Sequence, residues 1–147
     1  MSTRSFTKLW LHLIWGTKNR EKILSDRDFR KKISNHLYTY SNEKGIYMKA
    51  NYVNSDHVHA VIDLPTNLAV EEVSRLFKGE SSYWINNNAD FKFNWATGYG
   101  AFSVSESNLH KVVKYVFNQE EHHRNKTYSE EYDALLRAHS LLGGINQ

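Results

Sequence analysis

The chain has 147 residues, no cysteine and a formal net charge of +3, which excludes disulfides, thiolate zinc sites and cysteine nucleophiles. Its length is that of a single domain, taken here as residues 1–147. Residues 119–147 hold three of the 19 basic and five of the 16 acidic side chains, so residues 1–118 carry a net charge of +5. This basic part permits a nucleic-acid partner without requiring one. No apolar run of about 18 residues occurs, which predicts no membrane span.

The first predicted elements are a strand and a helix. Apolar and polar residues alternate over residues 5–16, which indicates a strand that is buried mainly on one face. After a charged loop, Ser25 or Asp26 can cap a helix that runs to about Glu43. Gly45 suits the left-handed conformation that commonly follows the end of a helix.

The next two strands are predicted over residues 46–54 and 56–64. A tight turn around Ser55 joins them, so we expect an antiparallel hairpin. Pro65, the only proline of the chain, ends the second of these strands.

A second helix, over about residues 68–87, places Arg75, Lys78 and Ser82 on one face, where these side chains can meet phosphates. A last strand is predicted over residues 99–104.

Two further helices complete the predicted chain. Ser103 or Ser105 can cap a third helix that runs to about His123. A short terminal helix follows over residues 127–139, within a C-terminal helical tail over residues 127–147 whose end we expect to fray.

The order β-α-β-β-α-β-α predicts an α+β fold of the ferredoxin-like or RRM-like kind. In this fold two helices cover one face of an antiparallel sheet, and we expect the active site on the other face.

His57 and His59 are two residues apart on the third strand, so their side chains leave the same face of the sheet. Two imidazoles in this arrangement can share one metal ion. An H-x-H triplet arises by chance about 0.4 times in a chain of this composition, so the two could equally be half-exposed histidines without a metal. Asp63 lies on the same face and is a further candidate ligand.

Four segments together are much more specific than the two histidines. In their order along the chain they resemble the HUH superfamily of single-strand DNA endonucleases. The resemblance is strongest to the single-tyrosine transposases of small insertion sequences (the TnpA type), to which the REP-associated tyrosine transposases are related. It covers about residues 5–132, and the matching segments are Asp56–His59, Lys78–Ser82, Gly98–Ser105 and Val112–His123. The segment Thr127–Tyr132 also resembles the end of the family's pattern.

This resemblance implies that His57 and His59 bind a divalent cation, Mg²⁺ or Mn²⁺, with Gln119 as the third ligand. It implies that Tyr115 is the nucleophile of a DNA transposase. Attack on single-stranded DNA would leave a 5′-phosphotyrosine and a free 3′-hydroxyl, and rejoining would need no nucleotide cofactor because the bond energy is kept.

Other residues near these motifs have less support. Tyr128 and Tyr132 compete with Tyr115 as nucleophile but lie outside the Tyr-x-x-Asn-Gln match. His122 and His123 are left outside the metal site, since they can be solvated cations at a helix end.

The implied partner is single-stranded DNA with hairpin ends, contacted by Arg75, Lys78, Ser82 and Lys114. The resemblance also implies a homodimer whose active sites are shared between subunits. It implies that the protein works in the cytoplasm of a prokaryote.

Two other functions stay open. One is a domesticated relative that nicks or binds hairpins in its host genome. The other is a non-catalytic module that binds a single strand by stacking bases on aromatic side chains.

Overall fold

The computed structural model describes residues 5–141, which form four strands and five α-helices. In chain order these elements are β1 (Trp10–Gly16), α1 (Arg27–Glu43), β2 (Tyr47–Val53), β3 (His57–Asp63), α2 (Val70–Asn88), β4 (Gly100–Ser103), α3 (Leu109–Phe117), α4 (Gln119–His122) and α5 (Tyr128–Ala138).

The four strands form one sheet in the order β2-β3-β1-β4, and each neighbouring pair is antiparallel. This arrangement confirms the predicted ferredoxin-like fold. The strand β3 is central, and in its register with β1 the residue Ile14 lies opposite His59 and Gly16 lies opposite His57. The two histidines are therefore held by ladder hydrogen bonds on both sides of their strand.

The helices α1 and α2 cover one face of the sheet and form the main core. Asp26 caps α1 by accepting hydrogen bonds from the backbone N–H groups of Asp28 and Phe29. The strands and the two helices contribute alternating apolar side chains that are fully or almost fully buried, including Leu13, Trp15, Val58, Ile62, Ile33, Leu37, Val73 and Phe77.

The second face of the sheet is also covered, by helices that follow β4. Val116 of α3 packs with Trp10 and Val61, and Tyr128 of α5 packs with Ile14. The face that carries the two histidines is therefore an interior surface, whereas the sequence indicated two helices on the opposite face alone.

The predicted third helix is interrupted. A short 3-10 turn with Ser105 as its cap precedes α3, and Asn118 has φ −98° and ψ 28° between α3 and α4. Thr127 and Glu130 form a reciprocal capping box at the start of α5, as expected for a helix beginning there. The predicted fraying concerns mainly residues 142–147, which lie outside the described residues. Within residues 5–141, no helix is both long and apolar enough to cross a membrane.

Candidate active site

His57 and His59 are both completely buried, and each ring is held through its Nδ1 atom. Asp56 Oδ1 lies 2.6 Å from His57 Nδ1. His12 Nε2 lies 2.7 Å from His59 Nδ1, where one ring donates and the other accepts. A partner on one ring nitrogen fixes the orientation of the other, as at metal-binding histidines. The two Nε2 atoms are thereby directed at one place between β3 and α5.

A carboxylate that the sequence analysis did not single out occupies that place. Glu131 Oε1 lies 2.9 Å from His57 Nε2, 3.2 Å from His59 Nε2 and 3.1 Å from His123 Nε2. Glu131 belongs to α5 and is 3% exposed. Its contacts with the two histidines of β3 span 74 and 72 residues of sequence. In the sequence, Glu131 lies in the segment Thr127–Tyr132 that resembles the end of the family's pattern, but no metal-binding role was expected for it.

The charges of this cluster follow from burial and hydrogen bonding. Burial by itself raises the pKa of Glu131, but hydrogen bonds from His123, His57 and His59 outweigh burial and hold the pKa below its ordinary value. The carboxylate is therefore ionised. Burial lowers the pKa of His59 to about 4, against the opposing effect of Glu131. His59 is therefore a neutral imidazole at neutral pH, which is the form that binds metal ions.

Three side chains of this cluster can serve as ligands of one metal ion. One ligand atom each from His57, His59 and Glu131 lies within 4.8 Å of the other two. Gln119, the ligand implied by the resemblance, is buried nearby. Its Oε1 atom accepts a hydrogen bond from Asn54 at 3.1 Å and lies 3.2 Å from His123 Nε2.

Two of the side chains weighed in the sequence analysis lie in unexpected surroundings. Asp63 accepts a hydrogen bond from Leu9 N and pairs with Lys8 at 3.3 Å, at the opposite end of β3 from His57. His123, which was left outside the site, contacts both Glu131 and Gln119.

Tyr115 of α3 lies beside the same carboxylate. Its hydroxyl donates a hydrogen bond to Glu131 Oε2, and its ring lies edge-on to His59 at a centroid distance of 5.8 Å. Burial and the charge of Glu131 raise the pKa of Tyr115 above its ordinary value. The phenol is therefore protonated in this arrangement, and it would need a bound metal ion or a nearby base to ionise.

The two competing tyrosines are placed differently. Tyr128 stacks on His57 with a ring separation of 4.1 Å and an interplanar angle of 9°. Tyr132 stacks on Tyr128 at 5.9 Å. Within residues 5–141, neither hydroxyl makes a hydrogen bond to Glu131, so of these three tyrosines only Tyr115 is bonded to that carboxylate through its hydroxyl.

Two cavities reach Tyr115 from outside. One, of about 280 Å³, is lined by Tyr115, Glu121, His122, His123, Asn125, Lys126 and Glu131. The other, of about 300 Å³, lies between β4, α3 and α5, and Phe102, Val112 and Leu135 are among its lining residues. The tyrosine can therefore be reached from solvent without crossing the main core.

The four residues predicted to contact DNA lie outside this cluster. Arg75, Lys78 and Ser82 line an open groove between α2 and the loop before β4. Lys78 Nζ donates hydrogen bonds to the carbonyl oxygens of Ala96 and Gly98, each at 2.8 Å, so it also holds that loop. Lys114 is exposed on α3, next to Tyr115.

The structure thus brings a tyrosine, two fixed imidazoles and a carboxylate together on one face of a ferredoxin-like sheet. A family model described as "Transposase IS200 like" matches residues 5–119. The match covers most of the chain, which therefore belongs to the IS200-like family of DNA transposases. It includes both histidines of β3, Tyr115 and Gln119, whereas Glu131 lies beyond it.

Two solved structures share this fold. A candidate transposase from Deinococcus radiodurans R1 has a TM-score of 0.64 and 24% identity, over 81% of this chain and 97% of its own. A REP-associated tyrosine transposase bound to a REP hairpin has a TM-score of 0.62 and 15% identity, over 84% of this chain and 73% of its own. The comparison with curated proteins found no match.

Proposed function

We propose that this transposase cleaves and rejoins single-stranded DNA at insertion-sequence ends through a 5′-phosphotyrosine on Tyr115, assisted by Mg²⁺ or Mn²⁺. One observation carries the proposal. The Tyr115 hydroxyl and the Nε2 atoms of His57 and His59 all contact the same carboxylate, that of Glu131. The proposed nucleophile and the candidate metal site are thus adjacent on one chain.

The proposed chemistry is a transesterification. The Tyr115 oxygen attacks the scissile phosphorus, and the bond from phosphorus to the 3′ oxygen breaks. The phenol loses its proton and the departing 3′ oxygen gains one, so the reaction is balanced without water or a nucleotide. Attack on the phosphotyrosine by another 3′-hydroxyl reverses the step and joins a new strand.

The side chains present fit a divalent ion. His57 and His59 present oriented Nε2 atoms, and Glu131 adds a negative charge among them. Carboxylate oxygens suit Mg²⁺ and Mn²⁺, and imidazole is an ordinary ligand of transition ions. When bound, such an ion would polarise the scissile phosphate and offset the charge that develops on it.

The proposed substrate is DNA with hairpin ends, in a prokaryotic cytoplasm. The net charge of +5 over residues 1–118 favours phosphate binding. Arg75, Lys78, Ser82 and Lys114 are the proposed contacts. One of the solved structures of this fold is bound to a REP hairpin, which supports a hairpin as the form of DNA recognised here.

A homodimer is part of the same proposal. The resemblance implies that the tyrosine of one subunit serves the histidines of the other. Because Tyr115 makes its contacts within one chain, a site completed by each subunit for itself is the alternative arrangement.

The proposal is tested by incubating the protein with single-stranded hairpin DNA and Mg²⁺ or Mn²⁺ and looking for a covalent adduct on a denaturing gel. Tyr115→Phe should abolish the adduct. Tyr132→Phe removes the same hydroxyl from a tyrosine outside the cluster and should leave the adduct in place. A Tyr115→Phe protein that still forms the adduct would overturn the assignment. DNA binding without an adduct in either metal would instead indicate the non-catalytic binding module.

A further inference from the structure

The carboxylate of Glu131 joins the two histidines of β3 to the proposed nucleophile. Its Oε1 atom contacts His57 Nε2 and His59 Nε2 at 2.9 and 3.2 Å, and its Oε2 atom accepts the hydrogen bond of Tyr115. The family match ends at residue 119, so this acidic residue comes from a helix outside the matched segment.

Glu131 is held in place by the docking of α5. Tyr128, one helical turn earlier, stacks on His57. It packs against the sheet so closely that a Cβ on Gly16 would lie 2.6 Å from its ring. Leu135 and Leu136, one turn later, pack with Ile14 and Phe102. Acidic side chains are almost never this deeply buried without partners, and every partner of this one belongs to the candidate site.

The observed separations also suit a bound ion. Neighbouring ligand atoms around an octahedral ion with bonds of about 2.1 Å lie about 3 Å apart. Glu131 Oε1 lies 2.9 and 3.2 Å from the two Nε2 atoms of β3. With α5 docked as it is in the structure, Glu131 Oε1 therefore lies at the distance from both Nε2 atoms that neighbouring ligands of one ion would have.

We propose that Glu131 is an anionic metal ligand through Oε1 and a positioning residue for Tyr115 through Oε2. The same carboxylate would then contact both the metal ion and the Tyr115 hydroxyl within a single chain. This inference rests on the proposed function. It adds an anionic ligand to the neutral set of two histidines and Gln119, and a ligand set that carries a negative charge binds hard divalent ions more tightly.

The metal role is tested without DNA, by titrating Mn²⁺ into the protein and following binding by calorimetry and by the electron paramagnetic resonance of free Mn²⁺. Glu131→Gln keeps the size of the side chain and removes its charge, and it should weaken Mn²⁺ binding at least about tenfold. Glu130→Gln is the matched control, because Glu130 is an exposed neighbour whose capping role glutamine can retain.

The positioning role has its own readout. In protein labelled with ¹³Cζ-tyrosine, Glu131→Gln should shift the resonance of Tyr115 and leave that of the exposed Tyr83 unchanged. If Glu131→Gln fails to fold, Glu131→Asp is measured instead. It keeps the charge but shortens the side chain by one carbon, and it should also weaken Mn²⁺ binding and shift the Tyr115 resonance.

Two results would overturn the inference. One is wild-type Mn²⁺ affinity with an unshifted Tyr115 resonance in the Glu131 variant. The other is faster DNA cleavage by that variant, which would mean that Glu131 obstructs the site instead of building it. Loss of Mn²⁺ binding in the variant, together with no covalent adduct from the wild type, would uphold the ligand role and refute the proposed nuclease activity.

Discussion

Gly16 is the position where one added methyl group should reveal how much the site depends on the docking of α5. A Cβ at Gly16 would lie 2.6 Å from Tyr128 Cε2 and 2.9 Å from the tyrosine oxygen. Packed carbon atoms stay about 3.5–4.0 Å apart, so Gly16→Ala requires a movement of about 1 Å. The Tyr128 ring has little freedom to turn because it stacks on His57 at 4.1 Å, so α5 itself must shift.

The magnitude follows from this clash. Overpacking of a filled interior costs about 1–3 kcal/mol of folding free energy. In a chain of this size such a loss lowers the melting temperature by about 3–9 °C. Because Glu131 lies one turn after Tyr128 on α5, the same shift should draw its carboxylate away from the histidines. We therefore expect weaker Mn²⁺ binding as well as lower stability.

Thermal unfolding followed by circular dichroism, with Mn²⁺ titration of the folded protein, measures both effects. Gly79→Ala is the matched control, because a Cβ there meets no atom within 4 Å outside the backbone of its own helix. That control should gain about 0.5–1 kcal/mol from the better helix propensity of alanine. A Gly16→Ala protein with the wild-type melting temperature and Mn²⁺ affinity would refute the reasoning that α5 must dock closely to complete the site.

Three further predictions concern the histidines, the DNA and the subunit arrangement. His59→Ala should abolish the covalent adduct and, since the side chain is fully buried, destabilise the protein by about 2–4 kcal/mol; an unchanged melting curve or a surviving adduct would contradict this. Affinity for hairpin DNA should fall steeply as salt rises, and Lys114→Ala should reduce the slope of log K against log salt by about one in filter-binding titrations. A flat salt response would argue against a DNA substrate. Mixed Tyr115→Phe and His57→Ala proteins should recover no cleavage if each subunit completes its own site, whereas recovery in proven heterodimers would support a site shared between subunits.

Short-range patterns in the sequence predicted the elements that present the site. The alternation along β3 determines that His57 and His59 share a face, because successive side chains of a strand leave opposite faces. The caps at Asp26 and Thr127 involve backbone groups within three residues. A shared strand face and a helix cap each depend on only a few neighbouring residues. They therefore form in the same way wherever the strand or helix packs in the fold.

The same reasoning failed where an element responds to what it packs against. The third helix was expected to continue to His123, but α3 ends at Phe117 and α4 begins at Gln119. The apolar side chains of α3 pack on the sheet, whereas Gln119 is turned toward Asn54 and His123. The segment has helical propensity throughout, but its first part packs on the sheet and Gln119 contacts Asn54 and His123, and these different contacts interrupt the helix between α3 and α4.

The sequence by itself determined the fold class, the histidine pair and, through the resemblance, the place of Tyr115. It offered five acidic residues after position 118, and although two of them lie in the segment Thr127–Tyr132 that resembles the family, nothing in the pattern says which of the five contacts the histidines. Only the tertiary structure decided that Glu131 is that partner, because its burial depends on where α5 settles against β1. That docking rests on the fit of Tyr128 over Gly16, a contact between surfaces that lie more than a hundred residues apart in the chain.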